Sequence, residues 1–363
     1  MSVYEDLRRL KLSELETGAE EVKDAMMHPH LRQLFFEVTS QCNLACKHCG
    51  SSCTMKGRSG VPVEILENTI IELEVDPEYK NHMPFIVLTG GEPMMRSDIR
   101  AIVDMLYAHH LPWGMTTNGT LVTAEDARYF VSHGMYSVAV SIDGTKEYHD
   151  AFRGVEGCFD KAFAGLQHFI DAGVPKSNVT TVLNHVNIKD INEIYEIVSP
   201  YDIDSWRLLS LEPIGRARGR KDLLLDPDDY IFIMNYIIDM RRNNIPVEYG
   251  CMHYLGLTWE REVRDWYWYC GAGIEVASIM ANGDIGACLD IERNSTTIQG
   301  NIYEDDFLSV WRKKFQIFRH DLAKETSGCD GCEHAKYCRG GAHHTYDHVL
   351  HEQRLCMKGV LFD

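Results

Sequence analysis

No run of about 18 apolar residues occurs in the 363-residue chain, which argues against a membrane-spanning helix. The opening Met1–His30 is charged and lacks an apolar h-region, so the sequence predicts no secretory signal and a cytoplasmic, reducing location. Basic charge is scarce too: 36 Lys and Arg stand against 54 Asp and Glu, a formal net charge of −18. That balance argues against a nucleic-acid or anionic-membrane partner and leaves room for a basic peptide or a small cationic substrate. Cysteine is the exception to this scarcity. Twelve cysteines without an export signal point to metal or redox chemistry rather than disulfides. Hydrophobic content of 45% is enough for a sizeable core, and the length suggests two domains.

Three of the cysteines follow a short apolar run that reads as a buried strand, Leu34–Val38. Their spacing is Cys42-x3-Cys46-x2-Cys49, with no fourth at zinc-finger distance. Three soft ligands suit an iron–sulfur cube with one iron left open to chelate something else. A zinc site, with Cys53 as fourth ligand, or buried structural cysteines would be the plainer explanation.

From Leu34 onward, strand-like and helix-like segments alternate. The strand candidates are Leu34–Val38, Phe85–Leu88, Trp113–Thr117, Ser137–Ile142, Val179–Leu183 and Trp206–Leu211. Helix patterns between them cover Val63–Leu73, Ser97–His109, Ala124–Ser132, Phe159–Ala172 and Asp190–Val198. This is an α/β pattern with a parallel sheet, open or curled into a partial barrel. Polar signatures sit where the strands stop: Gly90-Gly91-Glu92-Pro93, Thr117-Asn118-Gly119-Thr120, Ser141-Ile142-Asp143-Gly144 and Glu212-Pro213-Ile214-Gly215-Arg216. Sheets of this kind place their sites at the carboxyl edge, so these loops should converge on one ligand. Each alone has a plainer meaning. Gly90-Gly91 could be a tight turn or a place where a ligand lies on bare backbone, and Arg153 would ordinarily be surface charge.

Taken together, the cysteine loop, GGEP, TNGT, SIDG and His149-Asp150-x2-Arg153-Gly154 stand in an order that resembles the radical S-adenosylmethionine (SAM) superfamily, over roughly Leu34 to Gly219. The resemblance implies a partial (β/α)6 TIM-like barrel. It implies a [4Fe–4S] cluster on Cys42, Cys46 and Cys49, whose open iron takes the amino and carboxylate groups of SAM. Gly90, Gly91 and Glu92 would lie against SAM's methionine end, His48 beside its adenine, and Ser141 and Arg153 near its ribose or carboxylate.

Beyond Gly250 the composition shifts to aromatics and cysteine: Trp266-Tyr267-Trp268-Tyr269-Cys270, Cys288, Cys329-x2-Cys332-x5-Cys338, and Cys356. Zinc or iron–sulfur would satisfy such a set. It resembles the auxiliary-cluster extension called SPASM, with Cys270, Gly283 and Cys288 fitting its first half. Cys329, Cys332, Cys338 and Cys356 then fit the outer cluster. One expected cysteine is replaced by Ala342, and none stands shortly before Cys270. The inner cluster is therefore expected to be absent or to borrow ligands, with His343 or His344 as substitutes beside Ala342. The shorter twitch relative would instead use Cys270, Cys288, Cys329 and Cys332. Asp290 lies where sulfatase-maturing relatives keep a catalytic acid; a solvated loop aspartate is the alternative.

The expected division is residues 1–30 as a helical lead-in carrying Leu7, Leu10, Leu15, Val22 and Met26, and 31–222 as the barrel. Residues 223–260 form a helical bridge and 261–363 the cysteine-rich auxiliary domain. The resemblance implies reductive cleavage of SAM to a 5′-deoxyadenosyl radical that abstracts hydrogen from a peptide or protein side chain, as in ribosomal-peptide maturases. Dehydrogenation of an aminoglycoside or sugar alcohol, or formylglycine formation, is the alternative, and a zinc scaffold a more distant one. A flavodoxin or ferredoxin would supply electrons.

Overall fold

The computed structural model describes residues 3–362, with side chains from Arg8 onward, so the Leu7 side chain and both chain ends lie outside the description. The chain opens with α1 (Val3–Met27) and then alternates strand and helix. The order is β1 (Gln33–Thr39), α2 (Val63–Val75), β2 (Phe85–Gly90), α3 (Ile99–Ala108), β3 (Trp113–Thr117), α4 (Ala124–Ser132) and β4 (Met135–Ser141). It continues with α5 (Lys146–Arg153), α6 (Cys158–Asp171), β5 (Lys176–Leu183), α7 (Ile191–Val198), β6 (Ser205–Ser210), α8 (Pro227–Arg242) and β7 (Val247–Tyr249). Strands β1 to β7 pair in sequence order, all parallel, as a partial barrel. Phe36, Leu88, Val140 and Leu208 are fully buried, as expected for a parallel sheet covered on both faces.

Helix α5 was not expected: its sequence, Lys146 to Arg153, is mostly polar. It forms because Gly154 closes it in the left-handed conformation at φ +75° and because His149, Phe152 and Arg153 turn inward. Helix α8 starts where Asp226-Pro227 predicts, with Asp226 and Asp229 capping each other's backbone N–H groups. The bridge is not helical throughout. After α8 it supplies β7, a seventh parallel strand three residues long, too short to show a period in the sequence.

The C-terminal part adds α9 (Gly256–Trp259), β8 (Val276–Ile279), β9 (Asp284–Gly286), β10 (Gly300–Asn301), α10 (Phe307–Lys314), α11 (Ala335–Cys338), β11 (Tyr346–Asp347) and β12 (Glu352–Gln353). Strand β8 lies parallel beside β1, and β9 and β10 continue antiparallel, so one ten-stranded sheet runs through both halves. Glu37 on β1, almost fully buried, receives Arg293 at 2.8 Å and the Ala281 N–H at 2.8 Å, fixing that junction. Helix α1 docks on the C-terminal part rather than on the barrel. Leu15 is buried there with Tyr254 and Trp268, and Glu14 and Glu16 accept from Tyr267 and Tyr337 at 2.5 and 2.6 Å. Leu10 is exposed. Among the described residues no helix is long and apolar enough to cross a membrane.

Candidate active site

The cysteine loop leaves β1 at the carboxyl edge and is clamped there by every neighbouring strand-end motif. The Gly91 N–H donates to Thr39 O and the Glu92 N–H to Gln41 O, both at 2.8 Å. Two glycines are required for that approach. A methyl group on Gly91 would sit 2.1 Å from Gln41 O, and one on Gly90, whose φ is +137°, 2.1 Å from Thr39 O. Gly91→Ala is therefore expected to destabilise the chain by about 1–3 kcal/mol, read in urea unfolding, and to lower iron content by displacing Cys42.

The other motifs close around the loop from the far side. Asn43 bonds Asn118 and Thr120 at 2.9 and 2.8 Å. Glu92, fully buried, accepts from Thr117 Oγ1 and the Asn118 N–H, each at 2.7 Å, and burial raises its pKa. Its carboxylate thus joins two loops and is occupied within the protein. The α5 end holds the loop's backbone: Ala45 N–H donates to Arg153 O and Lys47 N–H to Phe152 O, both at 2.9 Å. Arg216, after β6, donates to Cys46 O at 2.8 Å and to Cys53 O. Nothing in local sequence distinguished Arg216 from a surface arginine, although its place after a barrel strand was a signal.

Arg153 is not surface charge. It is buried and pairs through Nε with Asp143 Oδ2 at 2.8 Å, while Asp143 Oδ1 accepts the Val182 N–H at 3.0 Å. His48 stacks on Phe152 with ring centroids 4.6 Å apart and planes 9° from parallel. Burial pushes its pKa down to about 4, so the ring is neutral at pH 7, and its Nδ1 is buried without a partner. Ser141 ends β4 at the same edge, half-buried.

Cys42 and Cys46 are buried and Cys49 half-buried, and they share one apolar patch with Leu44, Cys53 and Cys158. Burial pushes Cys42 up to about 11, and a hydrogen bond from Cys53 draws Cys49 down. Cys158 at the start of α6 bonds Asp150 at 3.2 Å and belongs to no cysteine spacing in the sequence. The donor set fits a cluster rather than one ion. A zinc site holds its sulfurs about 3.8 Å apart, from Zn–S bonds of about 2.3 Å. Among the described residues, the only group of three or more ligand atoms within 4.8 Å of one another is His185, Asp226 and Asp229, at the α8 cap.

The later cysteines separate into two groups. Cys329 lies within electrostatic reach of Cys332 and Cys356, and Cys338 of Cys329 and Cys356. A cavity of about 280 Å³ is lined by Cys329, Cys338 and Cys356. Cys288 lies within electrostatic reach of Cys251 and Cys270, and Cys270 of Cys251. Gly283, at φ +90°, makes the β8–β9 turn. Asp290 is exposed beside the cysteine loop: a methyl group on Gly50 would meet its Oδ1 at 3.3 Å. It lines a cavity of about 210 Å³ with Gly50, Ile214 and Gly215.

A partial barrel whose carboxyl edge cradles a three-cysteine loop, joined to a second cysteine-rich unit, is the framework of a cluster-dependent enzyme. The radical SAM superfamily pattern matches residues 36–198, and the SPASM iron–sulfur cluster-binding domain matches 270–333. The chain is 28% identical over 349 residues to an AdoMet-dependent heme synthase of Nitratidesulfovibrio vulgaris, covering 90% of this chain and 92% of that protein. It is 30% identical over 312 residues to the mycofactocin maturase MftC of Mycobacterium tuberculosis, covering 85% and 77%. Streptococcus suis SuiB bound to S-adenosylmethionine shares the fold at TM-score 0.69 and 20% identity, over 86% of this chain and 73% of SuiB. The chain belongs to the radical SAM superfamily and carries a C-terminal SPASM domain. Its cofactors are a [4Fe–4S] cluster, SAM and auxiliary iron–sulfur clusters.

Proposed function

We propose that the protein oxidises a peptide or protein side chain, with Asp290 accepting the proton that leaves with the second electron. SAM bound at the Cys42, Cys46 and Cys49 cluster would supply, on one-electron reduction, the 5′-deoxyadenosyl radical that removes a substrate hydrogen atom. The protein's part is to hold that cofactor on the loop clamped by Gly91, Arg153 and Arg216, and to present Asp290 to the substrate. One observation carries the reading: the Asp290 carboxylate lies against Gly50, between the radical loop and the cysteines of the auxiliary domain. A carboxylate there can take the proton while an auxiliary cluster on Cys329, Cys332, Cys338 and Cys356 takes the electron. The 30% identity to MftC supports a peptide substrate. The twelve free cysteines suit a reducing, cytoplasmic location, with flavodoxin or ferredoxin as donor.

Heme synthesis is the second reading, supported by likeness to the heme synthase over 92% of that protein's length. Anaerobic incubation with SAM and reductant separates the two. An increase in 5′-deoxyadenosine caused by a short peptide encoded beside the gene supports the first. An increase caused only by a carboxylate-bearing iron porphyrin replaces it with the second. Asp290→Asn is expected to keep its iron and its SAM cleavage while losing oxidised product by about 100-fold or more, the contribution of a positioned base. Unchanged product formation would remove Asp290 from the mechanism.

A further inference from the structure

We infer that Cys251, Cys270, Cys288 and His344 together hold a third iron–sulfur cluster, an inner auxiliary cluster with one histidine ligand. This rests on the radical SAM and SPASM reading above and supplies the two ligands that the spacing of the sequence lacks. Cys251 stands far ahead of Cys270 in the chain, but the fold returns it. It follows β7 directly, and the chain then crosses to the unit that begins at Cys270. Each pair among Cys251, Cys270 and Cys288 lies within electrostatic reach. Burial raises the pKa of all three thiols, Cys270 to about 11, yet none is packed out of reach of solvent: Cys251 is exposed and the others half-buried. The Cys270 thiol also accepts the His343 N–H, which brings the segment after Ala342 against it.

The loop carrying Cys251 is held in place. Arg264, fully buried and paired with Glu260, donates to Gly250 O at 3.0 Å and to His253 O at 2.5 Å, on either side of the cysteine. Ala342, at the position where a further thiol is missing, is buried in an apolar cluster against which Cys270 and Cys338 pack. Two residues on, His344 is 9% exposed and its Nε2 is sealed from solvent with no hydrogen-bond partner. A buried ring nitrogen with no partner calls for a ligand. His344 faces the charges of Glu212, His253 and Asp290, and Asp290 acts on Cys251 and Cys288 as well. Its neighbour His343 is not free for this role: its Nδ1 meets His348 Nε2 at 3.4 Å and the two rings stack. Asp290 is exposed, and its carboxylate faces the radical loop at Gly50. The sulfurs lie too far apart for a single ion, whereas thiolate and imidazole together suit a cluster.

The test counts iron and labile sulfide in the anaerobically reconstituted full-length protein and records pulsed EPR of its reduced state. About twelve irons per chain are expected in the wild type, four for each of three cubes. Cys251→Ala is expected to fall to about eight and to lose one of the reduced-cluster signals. The wild type should show a strongly coupled nitrogen that disappears in His344→Ala. Adding Ala342→Cys to His344→Ala should restore about twelve irons without that nitrogen, which separates ligand loss from misfolding. About eight irons in the wild type, about twelve in Cys251→Ala, or a nitrogen coupling that survives His344→Ala would each overturn the inference. SAM cleavage, followed separately as 5′-deoxyadenosine, reports on the underlying reading, so an empty inner site and an absent radical site give different results.

Discussion

Replacing Cys42, Cys46 and Cys49 together with alanine is expected to remove about four irons per chain and all conversion of SAM to 5′-deoxyadenosine. The loss should be local, because the loop's course does not depend on its thiols. Its backbone is tied to Thr39 and Gln41 through Gly91 and Glu92, to α5 through Phe152 and Arg153, and to Arg216 after β6. The triple variant is therefore expected to unfold cooperatively in urea with an unchanged slope while its visible cluster absorbance falls. The auxiliary cysteines stand on separate elements and should keep their iron. An unchanged iron content, or zinc in place of iron, would show that these three residues do not hold the cluster.

The second large effect concerns a charge that the sequence did not mark as buried. Arg153→Met is expected to destabilise the protein by about 3–5 kcal/mol, because it leaves the Asp143 carboxylate buried without its cation. Arg153→Met with Asp143→Leu should recover part of this; the Val182 N–H, which Asp143 Oδ1 accepts, would then lack its partner. The pH dependence carries the diagnostic sign. Burial alone would raise the Asp143 pKa, but the Arg153 guanidinium outweighs it and holds it below the usual carboxylate range. In the wild type the stabilisation is therefore present above the unfolded value of about 3.8 and is lost only as pH falls through the lower native value. In Arg153→Met the remaining neighbours, His48 and His149, are neutral at pH 7, since burial pushes each down to about 4. Burial then acts on Asp143 against little more than the Val182 N–H, and its native pKa is expected to rise above the unfolded one. The stability gap between variant and wild type should narrow from pH 7 toward pH 5 as Asp143 takes up a proton. A gap constant over that range would mean that Asp143 is not the source of the loss.

The first prediction concerns the loop that the sequence displays most openly and could have been drawn from sequence; the second could not. Cys42, Cys46 and Cys49 are legible because ligand spacing is a local property, carried in eight consecutive residues. The first six barrel strands are legible for the same kind of reason: a buried parallel strand is a short apolar run, whatever lies beside it. Their order then placed GGEP, TNGT, SIDG and Arg216's segment at one edge, because parallel strands joined by helices present all their carboxyl ends together.

What the sequence could not show is which of these polar groups face a ligand and which hold the protein together. Glu92 and Arg153 are expected near a cofactor, and the structure shows what else they do: Glu92 bonds two loops together and Arg153 neutralises Asp143. A buried ion pair has the same composition as two surface charges; only the packing around it distinguishes them. Helix α5 stayed hidden because its few inward residues lie on a mostly polar segment. Strand β7 stayed hidden because three residues show no period. The pairing of β8 with β1, and of Glu37 with Arg293, joins residues more than two hundred positions apart and leaves no local trace. The same holds for Cys251 and His344. Spacing alone, by itself, determined that this chain carries an open-sided cluster loop and a second cysteine set with gaps. Tertiary structure decided what lies beside those gaps, because a ligand set is defined by distance in space, and only the folded chain brings Cys251 after β7 near Cys270 and Cys288.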